Sequence, residues 1–194
     1  MKKAILIPTI SLFLICLVAT VLLGVANEIT KGKIAENAIV TEQESQKIVM
    51  ADAASFGEKK EGEYTFDGTS APYSCTEALD ESGNTIGYVF VTRSTGYGGN
   101  ISTMTGIDTE GKVTGVEFLE INETVGLGMN ATKQTFKDQF VGLLSGIGVT
   151  KNAPADNEIK ALTGATITSK ATTKGVNTAL DIYENVIRGG ADNG

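Results

Sequence analysis

From Ala4 to Ala26 the chain carries no charged residue (AILIPTISLFLICLVATVLLGVA). A helix of that length spans roughly 35 Å at about 1.5 Å per residue, enough for a bilayer core of about 30 Å. Pro8, Thr9 and Ser11, the polar or helix-weakening positions, lie near one end. A cleaved signal peptide is the competing reading, and Gly24-Val25-Ala26 offers the small residues it needs. The run exceeds the roughly 7–15 residues of a typical signal core, so an uncleaved membrane anchor is expected. Lys2 and Lys3 precede the run, and Lys31 and Lys33 follow it. A short tail with two lysines favours a cytoplasmic N-terminus, with the remainder of the chain on the outer, extracytoplasmic face.

Composition removes several kinds of chemistry. The chain has no His and two Cys. Haem attachment through Cys-x-x-Cys-His is absent, and structural zinc sites normally draw on Cys and His. Nucleophiles activated by His are excluded as well. Redox chemistry would have to come from a bound cofactor. Cys16 lies in the apolar run and Cys75 far from it, so no internal disulfide is expected, and both read as buried small apolar residues. Net charge is −7, with every acidic residue after the apolar run. That surface repels phosphate backbones, and no basic stripe points to nucleic acid.

Residues 27–56 read as a helical stalk, with an imperfect stripe of Ile34, Ala38, Thr41, Ser45, Ile48 and Ala51/Asp52. Residues 57–62 read as a charged loop. The period then changes. Residues 74–79, 85–93, 101–107 and 113–120 are expected strands, rich in β-branched and aromatic residues. The turn residues at 80–84 and at 108–111 join them into an antiparallel meander. Residues 132–144 and 169–188 are expected helices, the second with Val176, Leu180, Tyr183 and Ile187 on one face. The fold class is α+β: an antiparallel sheet with packed helices, preceded by one N-terminal transmembrane helix. The expected division is 1–26 tail and anchor, 27–60 stalk and linker, and 61–194 one domain.

Three loops stand out. In Thr163-Gly164-Ala165-Thr166, Gly164 and Ala165 have almost no side chain to obstruct approach to the Thr166 hydroxyl. Ser169 is the expected N-cap of the following helix, which would set Thr166 and Thr168 at the positive end of its dipole, a place suited to a phosphate. A plain helix-capping loop has the same composition. The second loop, Glu123-Thr124-Val125-Gly126-Leu127-Gly128, follows an expected strand. Its two glycines allow backbone to approach a flat ring while Leu127 covers it, or they serve only turn geometry. The third, residues 94–100, either lines the same pocket with Tyr97 available for stacking or is a glycine-rich loop with no ligand. The spacing and the missing βαβ unit do not suit a dinucleotide fold.

Taken in order, the anchor, Gly87-Tyr88-Val89-Phe90, Gly96-Tyr97-Gly98-Gly99, Met104-Thr105-Gly106-Ile107-Asp108, Glu123–Gly128 and Thr163–Thr166 resemble the G subunit of the Rnf electron-transport complex. The chain is similar, more distantly, to the C subunit of the sodium-translocating NADH:quinone reductase. The resemblance implies a covalent FMN, joined by phosphoester to Thr166 and attached by a flavin transferase that uses FAD. It implies cofactor-binding roles for Thr163, Gly164, Ala165, Thr168, Glu123, Thr124, Gly126, Leu127 and Gly128. It also implies other membrane subunits as partners, in a complex coupling electron flow between ferredoxin and NAD, or another carrier, to sodium or proton export. No residue is expected to act as a catalytic acid or base, and no metal site is expected. Two positions depart from the family pattern. Val125 stands where proline is usual, and Lys160 where an Asp often precedes the acceptor motif.

Two rival readings remain open at this level. One is an extracellular reductase component that bears FMN. The other is a membrane-anchored binding module without a cofactor, in which Thr166→Ala would change neither colour nor mass.

Overall fold

The computed structural model describes residues 2–189; Met1 and the last five positions assigned to the domain lie outside them. The chain forms two compact units, Met1–Thr41 and Glu42–Gly194.

The first unit is helical. Helix α1 runs from Lys2 to Val49 with Pro8 inside it. Among the described residues it is the one helix long and apolar enough to cross a membrane, with a mean hydropathy of 2.7 over its most apolar window. Phe13, Leu22 and Leu23 stand exposed on its surface. Cys16 is exposed too, whereas Cys75 is buried, so the expectation of a buried thiol holds only for Cys75.

The second unit is built on an antiparallel sheet. Its strands are β1 (Ser55–Phe56), β2 (Lys60–Phe66), β3 (Thr69–Leu79), β4 (Thr85–Thr95), β5 (Asn100–Asp108) and β6 (Val113–Glu120). The order is β1-β3-β4-β5-β6, with β2 also paired to β3. The meander expected from residues 74–120 is present, and both turns close as anticipated. The Asp80 carboxylate accepts the Ser82 and Asn84 N–H groups at 2.8 Å each, and that of Asp108 accepts the Glu110 and Lys112 N–H groups at 2.9 Å each. These Asx interactions fix a tight reversal without help from the core.

Each face of the sheet is covered. On one side Phe90, Ile107, Val113 and Val116 pack with Val176, Ala179, Leu180 and Tyr183 of helix α3 (Thr166–Ile182) and the residues beyond it. On the other, Val89, Met104 and Ala78 pack with Val49 and Met50, at and just past the end of α1. This alternation of neighbours along β4 and β5 is the period-two signature of a strand buried on both faces.

The α1 end sits close to the sheet because glycine lets it. Gly106 and Gly115 are cross-strand partners. A Cβ on Gly106 would run into the Val49 carbonyl, and one on Gly115 would lie 2.8 Å from the Val49 Cα. The Thr114 hydroxyl donates to the Val49 carbonyl at 2.5 Å and so satisfies a last-turn acceptor of the helix.

Several local expectations fail. The stalk helix ends at Val49, and Ser55–Phe56 is strand. Its packed face is Ser45, Gln46 and Val49, whereas Ile34 and Ile48 of the expected stripe are exposed. The charged segment expected as a loop begins strand β2 at Lys60. Residues 132–144 break into α2 (Gln134–Lys137) flanked by 3-10 turns at Gly128–Thr132 and Asp138–Phe140. Lys133 and Val141 take extended backbone there, which interrupts the ladder. Two short strands, β7 (Gly148–Thr150) and β8 (Glu158–Lys160), pair in parallel and were not anticipated.

Candidate functional site

Helix α3 begins at Thr166, three residues before the expected start. Ala165 occupies the N-cap position and makes no side-chain capping bond. Ser169 is therefore not the cap. It lies inside the first turn, where its hydroxyl accepts the Leu162 N–H at 3.0 Å and donates to the Ala165 carbonyl at 3.0 Å. It ties the preceding loop to the helix from within. The loop itself is a turn closed by the Ala165 N–H on the Leu162 carbonyl at 3.0 Å, with Gly164 at φ +77°. That left-handed conformation favours glycine. The first i→i−4 bond of the helix runs from the Ser169 N–H to the Ala165 carbonyl. The N–H groups of Thr166, Ile167 and Thr168 thus precede the ladder and carry the positive end of the helix dipole.

Thr163 through Thr168 all line one cavity of about 840 Å³. The opposite wall comes from the loop after β6. There the Leu127 and Met129 N–H groups fold back on the Thr124 carbonyl at 3.1 and 3.2 Å. Glu123, Thr124, Leu127 and Gly128 line the cavity, and Tyr97 joins them from the loop after β4. Gly128 permits the approach of the two walls. A Cβ there would lie 2.7 Å from both the Thr168 hydroxyl and the Glu123 Cβ. Gly126, at φ +80°, shapes the turn without lining the cavity.

The two threonines differ in access. Thr166 is half-buried, whereas Thr168 is 1% exposed. Around the cavity, Tyr97, Leu127 and Ile167 present large apolar surface at 73%, 43% and 54% exposure. A concave site with apolar cover and a few convergent polar groups is the usual form of a small-molecule pocket. Glu123 organises the rim: its carboxylate accepts the backbone N–H groups of Tyr97 at 2.8 Å and Gly98 at 3.3 Å.

Sequence reasoning singled out Thr163, Gly164, Ala165, Thr166 and Thr168, the Glu123–Gly128 loop and Tyr97, and the structure sets all of these but Val125 and Gly126 around one cavity. Lys151, Ala161, Leu162 and Ile167 also line the cavity and were not anticipated. Lys151 follows β7, whose pairing with β8 is a contact between short segments that no local pattern announces. Among the described residues no group of His, Cys, Asp and Glu could hold a metal ion.

An FMN-binding domain family matches residues 96–181, which include two of the three loops and most of the third, and an RnfG N-terminal region family matches residues 1–46. The chain is similar to the G subunit of the Na(+)-translocating ferredoxin:NAD(+) oxidoreductase complex of Acetobacterium woodii, 36% identical over 191 residues, covering 90% of this chain and 89% of that one. It is similar to the G subunit of the proton-translocating ferredoxin:NAD(+) oxidoreductase complex of Clostridium ljungdahlii, 32% identical over 174 residues, covering 89% and 88%. Among solved structures it resembles the C subunit of the Na(+)-translocating NADH-quinone reductase of Parabacteroides distasonis. That match has a TM-score of 0.50 at 19% identity, covers 66% of this chain and 76% of the other, and speaks to fold.

Proposed function

The chain belongs to the G-subunit family of Rnf-type ion-translocating oxidoreductase complexes, with an FMN-binding domain, and from that premise we propose that it is an electron relay whose FMN is esterified to Thr166. The observation that carries this reading is the position of Thr166: first residue of α3, half-buried, and in the wall of the cavity shared with Glu123, Leu127 and Gly128. The residues present suit such a group. Unpaired first-turn N–H groups of α3 favour an anionic phosphoryl group, and Tyr97, Leu127 and Ile167 supply apolar cover for a ring system.

FMN, when bound, supplies exchange of electrons singly or in pairs. Thr166 contributes the tether and the α3 amides hold charge at its foot. Glu123 fixes the backbone of the Tyr97 loop, and Leu127 and Ile167 exclude water. No side chain is assigned a proton-transfer role.

Attachment would require a separate flavin transferase with FAD as donor. Its pyrophosphate bond breaks, the Oγ–P bond to Thr166 forms, and AMP and the hydroxyl proton leave. The partners would be the other membrane subunits of the complex. Relatives carry names with sodium or proton translocation, and this chain's complex would export one of them. With Lys2 and Lys3 ahead of the apolar run, the N-terminus would be cytoplasmic and the FMN domain outside.

The test is the intact mass of the chain produced with and without a co-expressed flavin transferase, followed by peptide mapping. The expected result is a transferase-dependent FMN adduct on Thr166 that Thr166→Val abolishes. An unmodified mass in both samples, from folded protein and a transferase active on another substrate, would overturn the reading.

A further inference from the structure

The cavity is electropositive in an acidic chain. The chain has 23 acidic residues against 16 basic ones, yet the cavity wall holds two lysines, Lys151 and Lys160, and one carboxylate, Glu123. That carboxylate already accepts the N–H groups of Tyr97 and Gly98. Neither lysine ammonium takes part in an ion pair among the described residues; Lys33, Lys59, Lys60, Lys112, Lys137 and Lys174 do, while Lys31, Lys47, Lys133 and Lys170, away from the cavity wall, do not.

Their placement is built. Thr150 and Lys160 are partners in the parallel β7–β8 pair, and the Ala161 N–H donates to the Thr150 carbonyl at 2.7 Å. Gln139 grips the Lys160 backbone from both sides. Its Oε1 accepts the Lys160 N–H at 2.8 Å, and its Nε2 donates to the Lys160 carbonyl at 3.5 Å. Lys151 and Lys160 thus leave the same end of a two-stranded element, toward the cavity that also receives the amino end of α3. Glu158, on the same strand as Lys160, is engaged elsewhere through the Ala155 N–H at 3.0 Å.

We infer that Lys151 and Lys160 recognise the phosphate of the flavin nucleotide before, and independently of, any bond to Thr166. The inference rests on the FMN reading above. A phosphate monoester carries about −1.5 to −2 charges at neutral pH, and a diester to threonine carries about one. Two ammonium groups and a helix amino terminus match the untethered nucleotide, whether FMN or the FAD presented by the transferase with about two pyrophosphate charges, better than the singly charged tethered product. The lysines act as a selection element: they draw phosphorylated flavin into the cavity and discriminate against flavin without phosphate.

The test uses the full chain in detergent carrying Thr166→Val, so that nothing can be esterified there. FMN and riboflavin, which lacks the phosphate, are titrated separately and followed by flavin fluorescence. FMN is expected to bind roughly tenfold more tightly, a preference that shrinks with added salt because exposed charges are screened. Lys151→Gln with Lys160→Gln should bring the two affinities together while leaving that of riboflavin unchanged, and Lys→Arg at both positions should keep the preference. Unchanged riboflavin affinity also reports that the cavity is intact. Equal affinity for the two ligands with both lysines present, a preference that survives both Gln substitutions, or binding of neither ligand would overturn the inference. None of those outcomes touches the transferase-dependent adduct on the unsubstituted chain, which decides the FMN reading separately.

Discussion

Glu123 holds Tyr97 by its backbone: Oε1 accepts the Tyr97 N–H at 2.8 Å, across 26 positions of sequence. The same carboxylate reaches the Gly98 N–H, so one side chain ties the loop after β4 to the loop after β6. Hydrogen bonds to a charged acceptor are the stronger kind. Glu123→Ala is expected to weaken FMN binding roughly threefold to tenfold in the Thr166→Val background and to cost about 1 kcal/mol of stability. Glu123→Gln, which keeps one acceptor oxygen, should fall between. Fluorescence titration and urea denaturation of the same preparations read the two effects apart.

Thr168 lies two residues past the half-buried Thr166 and is itself closed off. It is 1% exposed, and a Cβ on Gly128 would lie 2.7 Å from its oxygen. An enzyme that transfers a phosphoryl group needs the hydroxyl in reach, so attachment should not migrate to Thr168 when Thr166 is removed. Peptide mapping of Thr166→Val, co-expressed with the transferase, is expected to give an unmodified 166–174 segment. Thr168→Val should keep the adduct on Thr166.

The central strands were legible because their residues alternate between two buried faces, and because Asp80 and Asp108 close their turns locally. Strand β2 was not. Lys60, Glu61 and Glu63 face water, and Gly62, Tyr64 and Phe66 are only half-buried, so this strand has the composition of a charged loop. Residues 132–144 do not form the one helix expected of them, yet Phe136 and Phe140, four apart, still meet edge to face at 5.6 Å. That spacing survives in short turns as well as in a helix. Ser169 read as a cap because capping chemistry and its actual use, a bond across the Leu162–Ala165 turn, need the same hydroxyl. At the site, the motif residues were legible and Lys151 was not, since its position depends on the pairing of β7 with β8.

The approach of α1 to the sheet sets a second expectation. Gly115→Ala places a Cβ 2.8 Å from the Val49 Cα, a backbone atom that cannot swing aside. The strands or the helix end must shift, at a cost of about 1–3 kcal/mol. Thr114→Val should cost about 1 kcal/mol by leaving the Val49 carbonyl without its donor. Denaturation midpoints of the two variants in detergent test both, and a neutral Gly115→Ala would mean that the contact is looser than the geometry shows.

Burial pushes the Cys75 thiol up to about 12 from an ordinary value of 9.0. The folded chain therefore holds this proton more tightly than the unfolded chain. The resulting stabilisation is fully present below about pH 9 and is lost as pH rises toward 12. Comparing Cys75→Ala with the parent removes the titration of other groups. The stability difference between the two should be flat up to about pH 9 and shrink above it. Maleimide labelling of Cys75 in the folded chain should be slow throughout the flat range, since the thiolate is the reactive form.

The Lys137–Glu117 pair joins α2 to β6 at 2.5 Å, with side chains only 9% and 17% exposed. Removing one member of a buried pair leaves the other charge without compensation, which is costlier than the pair's own net contribution. Lys137→Met is expected to destabilise the domain by about 3 kcal/mol, and Glu117→Gln by a similar amount. The double variant should recover much of that loss, because neither charge is then stranded. A double-mutant cycle in urea measures the coupling. Simple addition of the two single losses would mean that the ion pair is not the interaction holding α2 against the sheet, and would leave that role to the Phe136–Phe140 contact and the core beneath it.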